Sequence, residues 1–151
     1  MKDRGLIPSS EIESIELTKE THGEIREKLE IGSEEKLYRI VRIRYGNNIE
    51  MAYEITYVPY SLCPNLQQHL HEKTSLYNIY TGIYGLRLSY GNVFLEAEMP
   101  KQDVQEKLHL PKRIPVLKMH CTGYSEENQP IYYVECYYSG DKYVFSTTTV
   151  R

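Results

Sequence analysis

The sequence predicts one α+β domain in which long antiparallel strands are accompanied by a few short helices. Three observations favour this class. β-rich runs follow one another across short turns, short segments show the spacing of amphipathic helices, and no repeat or linker divides the chain internally. The chain has 151 residues, of which 40% are hydrophobic. A chain of this length buries enough surface to fold without a disulfide or a metal.

The N-terminal part is expected to form a strand, a helix and a hairpin. Residues 11–18 show a rough alternation typical of a strand. Thr21 and the glutamate three residues after it form a capping box, which predicts a helix over about 21–30. Two β-rich runs within 36–58 flank residues 46–48 and predict a hairpin with a three-residue loop.

The C-terminal part is expected to combine short helices with long strands. Residues 61–73 are irregular to helical, and Thr74 caps a short helix with the sequence SLYNIY. Pro100 opens another helix, KQDVQEKLHL. Four strands are predicted, over 86–98 with a bend or a bulge at Gly91, over 114–124, and over 130–139 and 143–150 as a pair around residues 140–142.

The two faces of the predicted hairpin differ in character. With a three-residue loop, Arg42, Arg44 and Glu54 share one face, with Arg44 opposite Glu50 and Glu54 diagonal to Arg42. Two guanidinium groups at positions i and i+2 suit a phosphate or a carboxylate. Cross-strand salt bridges on a solvated face are the alternative reading of the same spacing. The opposite face is expected to be core and carries Val41, Ile43, Tyr45, Ile49, Met51, Tyr53 and Ile55.

Composition and motifs argue against several classes of function. The formal charge is −3 and there is no run rich in lysine and arginine, which disfavours binding of duplex nucleic acid by this chain. The three cysteines are scattered without a CxxC pair, so a reducing cytoplasm is expected and a disulfide framework or zinc site is not. No apolar stretch of the sequence is long enough for a membrane span. His69 and His71 are interpreted as surface residues, and Cys121 and Cys136 as core thiols.

Five segments, taken in order, resemble a known family. They are 29–45 (LEIGSEEKLYRIVRIRY), 49–59 (IEMAYEITYVP), 74–77 (TSLY), 114–117 (IPVL) and 137–145 (YYSGDKYVF). Together they look like the UTRA domain, the effector-binding domain of GntR-type bacterial transcription regulators of the HutC subfamily. The resemblance implies a chorismate-lyase-like fold, an antiparallel sheet flanked by helices with the ligand held between them.

The resemblance also implies a division of the chain and a set of partners. Residues 1–10 resemble the end of an interdomain linker and residues 11–151 the UTRA domain. The chain then looks like a fragment whose winged helix-turn-helix domain is absent. The implied partners are a small anionic effector, with a sugar phosphate favoured, and DNA only through that absent domain. No cofactor, metal or membrane contact is expected, whereas a cytoplasmic location and a homodimer are.

An anion grip is implied by four positions that match the family. Arg42 and Arg44 match the R-x-R that holds the phosphate in members sensing sugar phosphates. Ser75 and Tyr77 match the S-x-Y that completes this grip. Ser75 follows the predicted cap Thr74, so its N–H and hydroxyl would lie at a helix N-terminus, where an anion is favoured.

Three further positions are expected to line the pocket. Glu54 matches an acidic residue that takes sugar hydroxyls or a ligand amine, with an internal ion pair to Arg42 as the alternative. Tyr138 matches a tyrosine of the pocket wall. Tyr132 stands where many members have a glutamate that contacts the ligand, which weakens the case for an amino sugar phosphate. Tyr132 is expected either to touch the ligand or to serve packing alone.

Two function classes follow from these residues and from the fold that the resemblance implies. The favoured one is a non-catalytic effector sensor, because the sequence offers an anion clamp and no acid–base pair beyond Glu54. The alternative is a small chorismate-lyase-like enzyme acting on an anionic substrate. No catalytic residue is assigned.

The sequence itself also supports the homodimer. The final predicted strands carry apolar or aromatic side chains on both faces, which suggests that a partner covers one face, unless flanking helices of the same chain do so. One face carries Tyr132, Val134, Tyr138 and Val144, and the other carries Tyr133, Tyr137, Tyr143 and Phe145.

Overall fold

Six antiparallel strands form one sheet in the structure, a computed structural model that describes residues 7–111 and 113–150. The strands are β1 (Pro8–Thr18), β2 (Leu37–Gly46), β3 (Ile49–Pro59), β4 (Leu88–Glu98), β5 (Val116–Ser125) and β6 (Pro130–Ser139). Their order across the sheet is β1-β2-β3-β6-β5-β4, which leaves β1 and β4 as the edge strands. The predicted class, an antiparallel sheet flanked by helices, is confirmed.

Short helical segments cover both faces of this sheet. The helices α1 (Gly23–Leu29) and α3 (Gln102–Lys107) lie on one face. Residues 60–87, named here the cover segment, lie on the other face. The cover segment contains a 3-10 turn (Leu66–Gln68), the helix α2 (Leu76–Asn78) and a π-helical turn (Ile79–Ile83).

Two apolar clusters hold these layers together, because alternate residues of a strand point to opposite faces. The cluster under α1 and α3 takes odd-numbered residues of the central strands, among them Val41, Ile43, Tyr53, Ile55 and Tyr133. The cluster under the cover segment joins Tyr38, Ile40 and Val58 of the sheet to Leu66, Leu76 and Ile79 of that segment. The central strands are thus buried on both faces.

The turn of the β2–β3 hairpin is tighter than predicted. Asn47 and Asn48 form a two-residue turn with φ values of 51° and 64°. Both values are left-handed, as a type I′ turn requires, and asparagine tolerates them better than most residues. The predicted core face is buried except near the turn, where Ile49 is half-exposed and Tyr45 is partly buried.

This turn changes the register of the arginines. A bulge just after Arg44 shifts the pairing, so that Arg42 lies directly opposite Glu54 and Arg44 lies opposite Ala52. The predicted pairing of Arg44 with Glu50 and the diagonal placing of Glu54 are therefore wrong. The direct pairing brings the guanidinium and carboxylate groups closer than the predicted diagonal would.

Two predicted helix starts are displaced by one or two residues. α1 begins at Gly23 after the N-cap residue His22, and the capping interaction predicted for Thr21 does not form there. α2 begins at Leu76, and its N-cap is Ser75 rather than Thr74.

Residues 1–6 of the predicted linker lie outside the described residues, and β1 already includes 8–10.

The strand predicted over 143–150 is absent, and these residues have no regular secondary structure. The reason is the position of β6, which pairs with β3 on one side and with β5 on the other. Both hydrogen-bonding edges of β6 are occupied, so no edge is free for a following hairpin strand.

The aromatic character of β6 also has an explanation within the chain. Tyr133 and Tyr137 are buried in the cluster under α1 and α3, and Tyr132 packs against the cluster under the cover segment. Elements of the same chain therefore cover both faces of β6. This pattern alone does not point to a partner subunit.

Candidate ligand-binding cavity

A cavity of about 720 Å³ lies between the sheet and the cover segment. Its floor consists of even-numbered residues of β2, β3 and β6, which face away from α1 and α3. Its wall is formed by residues 72–77 together with Tyr80, and the start of β1 closes one side. Ser10 of β1 donates a hydrogen bond of 2.8 Å from its hydroxyl to the Glu72 carbonyl, which fixes the wall to the sheet.

Glu54 joins the two arginines on the cavity floor. Its Oε1 accepts a hydrogen bond from Nη2 of Arg42, and its Oε2 accepts one of 3.1 Å from Nε of Arg44. The side chains of Arg42 and Glu54 are only 8% and 11% exposed, whereas that of Arg44 is 41% exposed. Arg44 is therefore the guanidinium that a molecule entering the cavity meets first.

The charges of Arg42, Glu54 and Arg44, named here the triad, do not cancel. Two guanidinium groups and one carboxylate leave one positive charge, and the nearby Glu72 and Lys73 cancel one another. Burial by itself would raise the pKa of Glu54, but the two arginines outweigh burial and hold this pKa below its ordinary value of 4.5. The carboxylate is thus ionised at neutral pH, and the cavity floor favours an anion.

Ser75 and Tyr77 lie on the wall that faces this floor. The Ser75 hydroxyl caps α2 by accepting a hydrogen bond of 3.5 Å from the Asn78 N–H. Tyr77 is 59% exposed at the rim of the cavity, where its ring is accessible to a bound molecule. The structure therefore brings the predicted S-x-Y pair to the same cavity as the predicted R-x-R pair.

Tyr132 forms the inner part of the floor. Its ring stacks on that of Tyr80, with the centroids 5.6 Å apart and the planes at 13°. It lies over Gly123 of the neighbouring strand, and a Cβ at Gly123 would overlap the Tyr132 ring. The absence of a side chain at Gly123 is thus what allows this tyrosine to lie against the sheet.

Six of the seven predicted site residues line the cavity, and Tyr138 does not. The Tyr138 ring instead stacks on Tyr143 at a centroid distance of 3.9 Å. It points to the same side of the sheet as Tyr132, but it lies six residues further along β6. Strand alternation predicted its side correctly and could not predict its distance from the cavity.

Several lining residues were not anticipated from the sequence. Thr56 and Val134 follow from strand alternation, since each lies two residues from a predicted site residue. Tyr80 lies three residues after Tyr77, one helical turn along the cover segment. Residues 8–10 and Met119 join the cavity only through the order of the strands, and no local sequence signal marks them.

The cysteines and His69, which the sequence analysis also considered, lie within the packed structure. All three cysteines are buried free thiols. His69 packs edge-on against Tyr84, with the centroids 5.9 Å apart. Among residues 7–111 and 113–150, no three His, Cys, Asp or Glu side chains form a group that could hold a metal ion. Over the same residues, no helix has the length and apolar character of a membrane span.

The sequence of this chain is similar to those of known proteins. A family model of the UTRA domain covers residues 3–144. The chain is 28% identical over 145 residues to the HTH-type transcriptional repressor NagR of Bacillus subtilis (strain 168), a match that covers 96% of this chain and 59% of that protein. It is 22% identical to the mannosyl-D-glycerate transport/metabolism system repressor MngR of Escherichia coli (strain K12), with 84% and 52% covered. The chain spans between half and three-fifths of the length of these relatives.

Solved structures agree on the fold. The effector domain of PhnF from Mycobacterium smegmatis is similar with a TM-score of 0.89 at 16% identity, covering 99% of this chain and 91% of that one. The C-terminal domain of the histidine utilization repressor from Pseudomonas syringae pv. tomato gives 0.86 at 14% identity, with 96% and 100% covered. Because the UTRA family model covers residues 3–144, the chain belongs to the UTRA domain family of GntR-type transcriptional regulators, in which this domain has a ligand-sensing role.

Proposed function

We propose that this chain is the effector sensor of a transcription regulator. Its cavity binds a small anionic metabolite, and a phosphorylated sugar is the favoured class of ligand. Binding of this ligand then controls the DNA affinity of a winged helix-turn-helix domain outside this chain. The proposed location of the regulator is the cytoplasm. The observation that carries the proposal is the triad of Arg42, Glu54 and Arg44, which leaves one positive charge on the floor of a cavity.

Size and polarity of the cavity favour a sugar phosphate over a larger or purely apolar ligand. A volume of about 720 Å³ lies within the range of small-molecule sites. Tyrosine rings and hydroxyl groups, including those of Thr56 and Ser75, lie around the charged triad and suit the alternating C–H and O–H groups of a sugar. The name of the relative MngR refers to mannosyl-D-glycerate, which is itself an anionic sugar derivative.

A sensor fits this cavity better than an enzyme does. A catalytic acid at neutral pH needs a carboxyl group with a raised pKa, whereas the pKa of Glu54 is lowered by its two arginines. Both oxygens of this carboxylate already accept hydrogen bonds from those arginines. Glu54 is thus suited to position guanidinium groups and not to transfer a proton.

The test begins with the full 151-residue chain and a thermal-shift screen against hexose phosphates, inorganic phosphate and unphosphorylated hexoses. A bound anion at one hundred times its Kd stabilises the folded state by about 2.7 kcal/mol, so specific binding raises the melting temperature measurably. Calorimetry on the best ligand then compares wild type with Arg44→Ala. Loss of a charge-assisted contact costs roughly 1.5–3 kcal/mol, so Arg44→Ala should bind at least about tenfold more weakly.

Arg39→Ala is the matched control, because it removes the same charge from the same strand on the side away from the cavity. Its affinity for the anion should equal that of wild type. Equal affinity of wild type and Arg44→Ala would contradict the assignment of the anion to this triad. A wild-type chain that binds none of the phosphorylated compounds would remove the proposed ligand class.

We further propose that the chain forms a homodimer through its sheet. The edge strand β4 supports this assembly, because nearly its whole length is exposed and it carries apolar side chains on both faces. Val93 and Phe94 are 51% and 53% exposed on successive positions. A free strand edge with apolar flanks is a surface that a second copy can cover by pairing with it.

A further inference from the structure

Two polar atoms in the wall and floor of the cavity have no hydrogen-bond partner among the described residues. They are the Tyr80 hydroxyl and Nε of Arg42, and both are closed off from solvent. Tyr80 is 3% exposed and Arg42 is 6% exposed, and both residues line the cavity. Buried polar atoms are nearly always hydrogen-bonded in folded proteins, so two unpartnered atoms in residues that line one cavity need an explanation.

The surroundings of Tyr80 hold its ring in place and leave its hydroxyl unused. The ring stacks on Tyr132, and the Tyr80 carbonyl accepts a hydrogen bond of 2.9 Å from the Leu86 N–H. Burial raises the pKa of Tyr80 well above its ordinary value, so the hydroxyl keeps its proton and can donate it to an acceptor.

Tyr80 lies in the π-helical turn Ile79–Ile83 of the cover segment. Such turns are rare and occur often at functional sites, where they change the direction of one side chain within a helix. The turn continues directly from α2, which carries Ser75 as its N-cap. One short segment therefore carries both a predicted anion contact and the residue with the unpartnered hydroxyl, and both residues line the same cavity.

An apolar side chain would fill the position of Tyr80 at a lower cost to folding. A buried hydroxyl without a partner loses its hydrogen bonds to water and gains none in return. Phenylalanine keeps the stacking on Tyr132 and removes this cost. The hydroxyl therefore makes physical sense if it acquires a partner in another state of the protein.

We propose that Tyr80 is a specificity-determining residue of the cavity, whose hydroxyl donates a hydrogen bond to an oxygen of the bound anion beside the Arg42 guanidinium. This inference rests on the anion-binding function proposed above. Because both atoms are closed to solvent in this conformation, the contact requires a small shift of the π-helical turn on binding. Tyr80 thus selects ligands that present an acceptor oxygen deep in the cavity.

The test is Tyr80→Phe, measured by thermal unfolding and by calorimetry with inorganic phosphate and with the hexose phosphate that wild type binds best. Without ligand, Tyr80→Phe should melt at the wild-type temperature or above it, since no hydrogen bond is lost. Its affinity for the hexose phosphate should fall by about 3- to 10-fold, the usual effect of one hydrogen bond. An equal loss for inorganic phosphate assigns the contact to a phosphate oxygen, and an unchanged affinity for inorganic phosphate assigns it to a sugar oxygen.

Tyr84→Phe is the matched control from the same segment. The Tyr84 hydroxyl donates a hydrogen bond of 2.6 Å to the Pro64 carbonyl and does not line the cavity. This variant should melt below wild type and bind the anion with unchanged affinity.

Two results would overturn the role of Tyr80. One is a melting temperature of ligand-free Tyr80→Phe lowered as far as that of Tyr84→Phe, which would mean that the hydroxyl has a partner within the protein. The other is an unchanged affinity of Tyr80→Phe for the hexose phosphate, together with weaker binding by Arg44→Ala. This result would keep the anion site at the arginines and exclude a contact between Tyr80 and the ligand. If wild type binds no phosphorylated compound, the proposed function and this inference fall together.

Discussion

Arg42 and Arg44 differ in what their removal would do, although both belong to the same predicted pair. Arg42 is buried and holds the buried carboxylate of Glu54, so Arg42→Ala would leave part of a buried charge without its partner. Arg44 is partly exposed, and its loss leaves the Arg42–Glu54 pair in place. For this reason Arg44→Ala separates binding from stability, and Arg42→Ala does not.

Glu54 gives a prediction about acid stability. Its folded-state pKa lies below the ordinary value of 4.5, so it contributes stability that is present above pH 4.5 and is lost as the pH falls through the folded pKa. Glu54→Gln lacks this titration. At neutral pH it should be less stable than wild type by about 3–5 kcal/mol, the cost of breaking a buried pair. Below pH 4.5 its free energy of unfolding should fall less steeply than that of wild type, as measured by urea unfolding.

Glu34→Gln serves as the control for this measurement. Glu34 pairs with Lys19 on the surface, where its side chain is 88% exposed. Such pairs contribute little, so this variant should follow the wild-type curve. If Glu54→Gln also follows the wild-type curve below pH 4.5, the carboxylate is not held ionised by the arginines.

At the scale of elements, Gly123 connects the packing of β5 to the shape of the cavity. A methyl group at this position would overlap the Tyr132 ring, which in turn stacks on Tyr80. Gly123→Ala should therefore lower the free energy of unfolding by about 1–3 kcal/mol, the usual cost of overpacking, and also weaken anion binding by moving Tyr132. Urea unfolding and calorimetry measure the two effects.

Gly23→Ala is the matched control at the first position of α1. A Cβ at Gly23 meets no atom within 4 Å, so this substitution should leave anion affinity unchanged. It should stabilise the fold slightly, because alanine favours the helix over glycine. A Gly123→Ala variant with wild-type stability and affinity would mean that Tyr132 has room to move without consequence.

The elements also show what the sequence could and could not predict. Strand alternation in β2 and β3 correctly separated the core face from the face of Arg42 and Glu54, because that separation depends only on a period of two. The register within the hairpin depended on the choice between two- and three-residue turns at residues 46–48. Asn47 and Asn48 both accept left-handed φ values, so the tighter turn was available and forms.

Residues 143–150 were beyond local prediction for a different reason. Their β-rich pattern is compatible with a strand, but a strand needs an unpaired neighbour. The insertion of β6 between β3 and β5 removes that neighbour through contacts distant in sequence. The same long-range pairing places residues 8–10 in the cavity wall, which no local signal indicated.

For the whole molecule, the proposed homodimer can be tested at β4. Val93→Lys places a charge on the exposed edge strand, as natural edge strands often do to prevent pairing. Light scattering at micromolar concentration should give twice 17.8 kDa for wild type and a mass near 17.8 kDa for Val93→Lys. The cavity lies apart from this residue, so anion affinity of the variant should be retained.

Leu17→Lys on the opposite edge strand is the control for this assembly. Leu17 is 45% exposed on β1, so the substitution adds the same charge to a comparable surface. It should leave the dimer intact. A wild-type mass near 17.8 kDa would contradict the dimer, and dissociation by Leu17→Lys alone would move the interface to β1.

The alternation of side chains along β2 and β3 also bears on how such a domain evolves. Odd positions build the core under the helices, whereas the even positions divide between the cavity floor, at Arg42, Arg44, Glu54 and Thr56, and the second core cluster, at Tyr38, Ile40 and Val58. Substitutions that alter ligand preference can thus accumulate at floor positions such as Arg44 and Thr56 without changing the core under the helices. This separation of binding positions from core positions is consistent with the TM-score of 0.89 between this chain and the effector domain of PhnF, which share only 16% of their sequence. An insertion or deletion of one residue within β2 would exchange the two sets, so such changes should be rare among descendants of this sequence.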